Sequence, residues 1–454
     1  MFFTKILPFQ LSSSFSKEEI ISLREKQDRT LEADVKSVLD YRAWIQTKTH
    51  HTVDNTRILG IVATTQGAEN YLPYTIPKII QQISETGMMA DIVIGLNNGF
   101  ECPVVIEKFA LLSDVQVVNL YTAEKLANNI PALIFDNVMC QGEPYYLNNM
   151  EKPYCRHRIF VVHQKEGKYS AGKIRILGDI YGSLLLKSIE HGWIPPAILV
   201  AFDAESIFLA NRNYSVIEPE SNGLKLIVNH LQNNSEIDIL GTRNKFAVYQ
   251  KTTVNESEIL LPNFSEELSP IHWFIDIVHG RFSGYQYKPA SGTVGKTDAL
   301  VSVIAVIAER YPGIKSDDTH ITILAKYARF VGDIFMDVIS TNRTPHLADM
   351  TMEQPPKKAW KEQLYRWSTA NRGLKLLYGE HNIKLIVSYN FPWFILTEPI
   401  QFWKPIFWNR QMNLYIKIKK IIVLASTFFT YWQINIKSRK NPDTLKGNGA
   451  KAFW

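Results

Sequence analysis

Short apolar runs alternate with amphipathic stretches along much of the chain, and this alternation most constrains the fold. Runs of aliphatic residues bounded by turn residues predict buried strands, and apolar residues repeating every three or four positions predict helices. Strands that alternate with helices form a parallel sheet. The predicted strands are 57–65, 91–96, 115–120, 159–162 and 197–202, and the predicted helices are 16–47, 173–190, 225–231, 298–309, 319–330 and 358–378.

Two carboxylates directly follow the most apolar predicted strand, 197–202. They are Asp203 and Glu205, with one residue between them. Ligands of a parallel sheet bind at the carboxyl ends of its strands. Two carboxylates at such an end can hold a divalent cation that bridges to a diphosphate. Acidic residues also end strands without a catalytic role, so the pair alone leaves both interpretations open.

A second acidic pair and a mixed polar and aromatic motif follow later in the chain. Asp317 and Asp318 precede a helix predicted to begin near the next residue, where Asp318 is either an N-cap or a general base. Gln363, Arg366 and Trp367 are three and four residues apart, so they share one helix face. The alternative is a surface Gln and Arg beside a core Trp.

The order of these motifs resembles the family 2 glycosyltransferases, which carry a DxD, an ED and a QxxRW motif along a GT-A fold. The resemblance covers about residues 57–378. It implies an α/β fold with a mostly parallel sheet flanked by helices. It also implies inverting transfer of a sugar from a UDP- or GDP-sugar to a hydroxyl of a glycan or lipid-linked acceptor. The chain departs from the family in having Glu205 as the second acid of the first motif and Asp317 in place of a Glu.

The resemblance also implies a role for each matching residue. Asp203 and Glu205 would hold Mn²⁺ or Mg²⁺, and Asp318, beside Asp317, would remove the acceptor proton. Gly292 and Trp367 would line the acceptor site. The implied nucleotide-sugar site consists of Thr64, Thr65, Glu69, Asn97, Asn98, Lys173, Asp203, Gln363 and Arg366.

One position of that site leaves the nucleotide base open. The family usually ends its second strand with an Asp that bonds the base, and this chain has Asn97 and Asn98 there. An Asn side chain can both donate and accept hydrogen bonds. Binding is therefore compatible with the sequence, whereas the identity of the base is not determined.

Residues 290–297 carry a rival motif, since ASGTVGKT nearly matches a phosphate-binding P-loop. This alternative predicts a nucleoside triphosphatase in which Lys296 contacts the phosphates. Three features oppose it: Ala290 replaces the first glycine, no apolar strand precedes the motif, and the strand that ends in Asp203 comes before it. A third class, a catalytically inactive membrane-binding scaffold on the same fold, also stays open.

Residues 381–454 differ from the rest in charge. They contain eleven Lys and Arg against two acidic residues, and eleven Trp, Phe and Tyr between 393 and 432. Basic and aromatic residues together favour a membrane surface, and the apolar content argues against a nucleic-acid partner. Residues 421–436 are uncharged but shorter than the roughly 18 residues that a spanning helix needs. We therefore predict a helical N-terminal extension (1–50), a glycosyltransferase domain (51–380), and a helical tail (381–454) held peripherally on the cytoplasmic side of a membrane.

Overall fold

The architecture is mixed α/β, with one large sheet between two layers of helices. The computed structural model describes residues 16–97, 99–122, 137–148, 155–164, 173–210, 222–241, 243–254, 257–263, 292–312, 317–330, 348–353, 373–383, 413–415, 417–418 and 421–422. The strands are β1 (Asp54–Thr64), β2 (Met89–Leu96), β3 (Val115–Thr122), β4 (Val138–Cys140), β5 (Glu143–Pro144), β6 (His157–His163), β7 (Pro196–Asp203), β8 (Phe208–Ala210), β9 (Ile239–Gly241), β10 (Arg243–Val254), β11 (Ser257–Asn263), β12 (Gly292–Lys296) and β13 (Ala348–Glu353).

The helices account for most of the remaining described residues. They are α1 (Lys17–Lys48), α2 (Leu72–Ser84), α3 (Pro103–Ala110), α4 (Lys173–Gly178), α5 (Lys187–Glu190), α6 (Gly223–Asn233), α7 (Thr297–Arg310), α8 (Asp317–Tyr327) and α9 (Glu380–Ile383). A π-helical segment, Asp179–Leu186, joins α4 to α5, and residues 373–378 are also helical. The five strands and most of the helices predicted from the sequence are therefore present, with small shifts at their ends.

The larger sheet has nine strands within the described part of the chain, in the order β5-β4-β3-β6-β2-β1-β7-β12-β9. The five central strands from β3 to β7 run parallel, whereas β12 runs antiparallel to both of its neighbours. The predicted fold class, a mostly parallel sheet flanked by helices, is confirmed. The narrower assignment to the GT-A fold stays a prediction.

Successive side chains on each strand point to opposite faces, so the sheet has two apolar cores. One core packs the sheet against residues 173–190, α7, α8 and α1. The other packs it against α2, α3 and α6. Gly95 permits a close approach of the helical residues 173–190, because a Cβ there would lie 2.5 Å from Ile176 Cγ1.

The N-terminal helix α1 is part of the first core. Ser16 and Glu19 form a capping box at its start. Val38 and Ile45 are fully buried beneath it, and burial of such a side chain stabilises by about 1.5–3 kcal/mol. Arg42 binds Asp238 and Asp298 through ion pairs of 2.7 and 2.9 Å. The division of the chain into three domains stays a prediction.

Among the described residues, a smaller sheet has four strands in the order β11-β10-β13-β8. In the tail, the described residues 414–415, 417–418 and 421–422 are helical, and Leu414, Ile418 and Ile422 are exposed. No helix among the described residues is long and apolar enough to cross a membrane.

Candidate functional site

The carboxyl ends of β6, β2, β1 and β7 lie side by side at one edge of the sheet. In the ladders, His163 pairs with Leu96 and Leu96 pairs with Thr64. Asp203 pairs with the residue before Thr64, and β12 begins on the far side of β7 with Gly292 opposite Phe202. Neighbouring strands are about 4.8 Å apart, so this edge gathers several of the predicted site residues.

Asp203 and Lys173 form an ion pair at this edge. Lys173 Nζ donates to Asp203 Oδ1 at 2.7 Å, and the two side chains are 38% and 27% exposed. Leu199 and Ala201 pack on the core beneath residues 173–190, and Asp203 follows them at the same two-residue interval. It therefore faces the helix that Lys173 begins. The structure brings these two predicted residues together, with both charges accessible to a ligand.

The loop after β7, which carries Glu205, is held in place by its neighbours. The Ser206 N–H donates to the Asp203 carbonyl at 2.9 Å and closes a tight turn. The Tyr249 hydroxyl of β10 donates to the Glu205 carbonyl. The Tyr249 ring in turn packs edge-on against Tyr71, with ring centroids 5.1 Å apart. Glu205 is half-buried in this braced loop, two residues from Asp203.

Three of the predicted nucleotide contacts lie at the end of β1 and in the turn that follows it. Gly67 adopts a φ of 93°, which favours glycine, and its N–H donates to the Glu69 carboxylate. Glu69 thus closes its own turn. Thr65 is exposed, whereas Thr64 is 1% exposed and its Oγ1 has no hydrogen-bond partner in the described part of the chain. Thr65 is therefore the more accessible of the two threonines.

Three further polar residues lie near the same edge, and the sequence indicated only Asn97 among them. Asn97, which was predicted, is buried, and its N–H donates to the Thr64 carbonyl at 3.1 Å. Gln164, which follows β6, donates through Nε2 to Asp179 Oδ2 at 2.6 Å. Asp179 lies on the same helical stretch as Lys173. The only sequence signal for Gln164 is that it follows a strand end, and Asp179 had none.

An aromatic pair lies at the same edge, on the neighbouring strands β3 and β6. The rings of Tyr121 and His163 stack with centroids 4.7 Å apart, and His163 Nε2 lies 3.1 Å from Asn119 Oδ1. Burial lowers the pKa of His163, so this imidazole is neutral at pH 7. No sequence motif marks Tyr121 or His163.

The predicted base lies on a helix that begins earlier than expected. Helix α8 starts at Asp317 rather than near Thr319, so Asp318 is within the first turn and is not its N-cap. A carboxylate in the first turn is stabilised by the helix dipole. The side chains of Asp317 and Asp318 are outside the described part of the structure, as are Asn98, Gln363, Arg366 and Trp367. Their predicted roles stay predictions.

The P-loop interpretation of residues 290–297 is wrong. Residues Gly292–Lys296 form strand β12, in the interior of the sheet, rather than a loop around phosphates. Lys296 Nζ donates to Asp238 Oδ1 at 2.6 Å and to the Ser235 carbonyl at 2.7 Å. Because β12 is antiparallel to β7, Lys296 pairs with Ile198 near the start of β7. It therefore lies at the other edge of the sheet, away from Asp203. A Cβ at Gly295 would lie 2.7 Å from the Asp238 carbonyl oxygen, so this glycine serves strand packing.

No protein-family model matches the chain, and no curated protein matches it in sequence. Among solved structures, the mannosyltransferase PcManGT from Pyrobaculum calidifontis in complex with GDP-Man and Mn²⁺ is 11% identical, with a TM-score of 0.39 over 92% of this chain and 98% of that chain. S. aureus TarS is 10% identical, with a TM-score of 0.31 over 85% of this chain and 92% of that chain. Likenesses this weak do not establish a shared fold.

Proposed function

We propose that this protein is an inverting glycosyltransferase with a GT-A fold, which moves a hexose from a UDP- or GDP-sugar to a hydroxyl acceptor. The observation that carries the proposal is the accessible ion pair of Lys173 and Asp203 at the carboxyl edge of the parallel sheet. Open parallel sheets bind their ligands at this edge. A cation and an anion side by side there suit a ligand that brings both a diphosphate and a metal ion.

The leaving group determines what the site must supply. Cleavage of the bond between the sugar and the diphosphate leaves negative charge on the diphosphate, and fixed positive charge nearby stabilises it. Lys173 can turn from Asp203 toward a phosphate oxygen, because its side chain is partly exposed. Thr65 and the backbone of the turn after β1 are next along the edge and would contact the nucleoside.

The residues present also fit a divalent cation. Asp203 and Glu205 offer carboxylate oxygens, which Mn²⁺ and Mg²⁺ prefer. No cluster of three or more His, Cys, Asp or Glu occurs among the described residues. A cation here would therefore take its remaining ligands from the diphosphate and water, as is usual for Mg²⁺ at phosphate sites. Bound in this way, it would add positive charge beside the leaving diphosphate.

The acceptor hydroxyl requires a base on the side of the sugar opposite the leaving diphosphate. We assign this role to Asp318, with Asp317 beside it, in the first turn of α8. An aspartate within hydrogen-bond reach of the acceptor hydroxyl removes its proton as the new bond forms. Gly292 lies at the same sheet edge as Asp203, and it would line the acceptor site with Trp367. Gln363 and Arg366 would approach the diphosphate.

The tail supports an acceptor at a membrane. Leu414, Ile418 and Ile422 are exposed, and their spacing of four residues is the spacing of side chains that share a helix face. This face lies within a segment whose basic residues outnumber its acidic ones by nine. An apolar face with basic flanks binds an anionic lipid surface. We propose peripheral attachment at the cytoplasmic side of a membrane and a glycan or lipid-linked acceptor.

Thermal denaturation with sugar nucleotides tests the proposed donor site. UDP- and GDP-sugars with Mn²⁺ should raise the Tm of the wild-type protein, because a ligand that binds only the folded state stabilises it. The Asp203→Asn variant should lose most of this shift. Equal shifts in both proteins, or none with any sugar nucleotide, would contradict the proposed site. Binding without turnover would instead favour the inactive scaffold.

A further inference from the structure

A buried carboxylate of the N-terminal helix joins four side chains from other elements. Asp34 is fully buried on α1. Its Oδ1 accepts from Arg310 at 2.5 Å, and its Oδ2 accepts from the hydroxyls of Tyr311 and Tyr378, the latter at 2.7 Å. His320 Nε2 lies 2.5 Å from the same Tyr378 oxygen. We refer to Asp34, Arg310, Tyr311, His320 and Tyr378 as the Asp34 cluster.

The hydrogen-bond directions in the cluster follow from its chemistry. Tyr378 has one hydroxyl proton and donates it to Asp34, so His320 Nε2 must donate to the Tyr378 oxygen. His320 Nδ1 is then the unprotonated nitrogen, and it has no hydrogen-bond partner in the described part of the chain. Complete burial lowers the pKa of His320 to about 3, so a single neutral tautomer is present. The chain from His320 through Tyr378 to Asp34 therefore has one fixed direction.

The cluster connects the elements that carry the proposed acceptor site. His320 lies in α8, two residues after Asp318. Tyr378 ends the helical residues 373–378, which follow the motif at 363–367 in the chain. Arg310 and Tyr311 are at the end of α7, before α8 begins. One carboxylate from α1 thus contacts the end of α7 and the segment after the proposed diphosphate contacts, and it reaches the helix of the proposed base through Tyr378.

We infer that Asp34 is a positioning residue for the acceptor site, holding the first turn of α8 in place through Tyr378 and His320. This inference rests on the proposed function, because it assumes that Asp318 is the base. It extends the active site to α1, which lies outside residues 57–378, where the sequence motifs resemble those of the family 2 glycosyltransferases. Breaking a buried hydrogen-bonded network leaves unsatisfied polar groups, so the first turn of α8 should loosen when Asp34 is neutralised.

The chain offers a matched control on the same helix. Arg42 also connects α1 to the rest of the protein, through ion pairs with Asp238 and Asp298. The Arg42 guanidinium also lies 4.6 Å from the ring centroid of Phe330, which follows the last turn of α8. Arg42→Gln should therefore lower stability without loosening the first turn of α8. Tyr378→Phe is a milder probe of the cluster, because it removes the link to His320 and keeps the Asp34 charge.

Hydrogen exchange and steady-state kinetics of the full-length protein test the inference together. Asp34→Asn and Tyr378→Phe should speed amide exchange in residues 317–322, and Arg42→Gln should not. With a sugar nucleotide and an acceptor, the two cluster variants should lose at least 10-fold in kcat while the KM for the donor changes less than 2-fold. Arg42→Gln should keep the wild-type kcat.

Each outcome has one meaning. Unchanged exchange in residues 317–322 of Tyr378→Phe, or equal loss of kcat in all three variants, would overturn the positioning role. Faster exchange without loss of kcat would also overturn it. Absence of turnover in the wild-type protein would refute the proposed function, and the exchange comparison would still decide whether Asp34 holds α8.

Discussion

The ammonium of Lys173 lies 2.7 Å from the carboxylate of Asp203, although 30 residues separate them in sequence. The pair exists because β7 ends beside the start of the helical residues 173–190, and because Asp203 falls on the sheet face that these residues cover. Both side chains are accessible, so a diphosphate can approach the lysine while a divalent cation approaches the aspartate. This relationship is the basis of the proposed donor site.

Replacing Lys173 with Met should weaken binding of the donor and leave stability nearly unchanged. A charged hydrogen bond to a phosphate contributes about 1.5–3 kcal/mol, so the Kd should rise about 10- to 100-fold. A partly exposed ion pair contributes about 0–1 kcal/mol to folding. Isothermal titration with UDP- and GDP-sugars measures the Kd. Lys187→Met is the control, since Lys187 pairs with Glu190 on the same helical stretch; equal binding by both variants would refute the role.

Replacing Lys296 with Met should lower stability and leave sugar-nucleotide turnover unchanged. Lys296 donates to Asp238, which is also held by Arg42. Loss of one of these two partners should cost about 1–3 kcal/mol, measured as the free energy of unfolding in urea. Lost turnover in a variant that remains folded at the assay temperature would contradict the placement of Lys296 outside the donor site.

Folding stability should fall as the pH is lowered below about 6.5, in part because of His320. Burial lowers its pKa in the folded protein to about 3, so the unfolded chain binds the proton more readily. The stability is therefore fully present above the unfolded pKa and is lost as the pH falls toward 3, by up to about 1.4 kcal/mol per pH unit.

The variant His320→Gln isolates this contribution, because Gln can still donate to Tyr378 and does not titrate. Burial also lowers the pKa values of His157 and His163, so the comparison is the difference between wild type and variant. Urea unfolding at pH 7, 6 and 5 measures it. The groups that face His320 are Tyr311, with ring centroids 4.9 Å apart, and Tyr378. The same pH dependence in both proteins would contradict a buried neutral His320.

Removing the apolar face of the tail should release the protein from membranes. Leu414→Gln, Ile418→Gln and Ile422→Gln, combined in the full-length chain, replace three exposed apolar side chains. Sedimentation with vesicles containing anionic lipid should show at least a 10-fold loss of binding, since the apolar contribution grows with buried area. Leu111→Gln is the control, because Leu111 is 85% exposed elsewhere on the protein. Unchanged binding by the triple variant would refute the membrane contact.

Elements with a strong local pattern could be predicted from the sequence. The buried strands around Val93 and Leu199 and the capped helix after Ser16 are examples, because burial and capping act over a few neighbouring residues. Strand β12 was missed, because its two glycines and its lysine resemble a loop. What makes it a strand is pairing with β7 and β9, which are distant in sequence.

The candidate site was predictable only in part. The position of Asp203 follows from the end of its strand, and the structure adds its partner Lys173. The burial of Thr64 was not apparent, since the side chain that follows the last apolar residue can face either core. The Asp34 cluster joins residues more than 270 positions apart, and no local pattern reports such a contact.

The central claim is that the protein transfers a sugar from a nucleotide donor bound at the sheet edge that contains Asp203. The most direct measurement is the release of UDP or GDP from a panel of sugar nucleotides with Mn²⁺, by the wild-type protein and Asp203→Asn. We expect release by the wild type from at least one donor, and a rate at least about 100-fold lower in the variant, as for other losses of transition-state charge stabilisation. No release from any donor, or equal rates in the two proteins, would contradict the account.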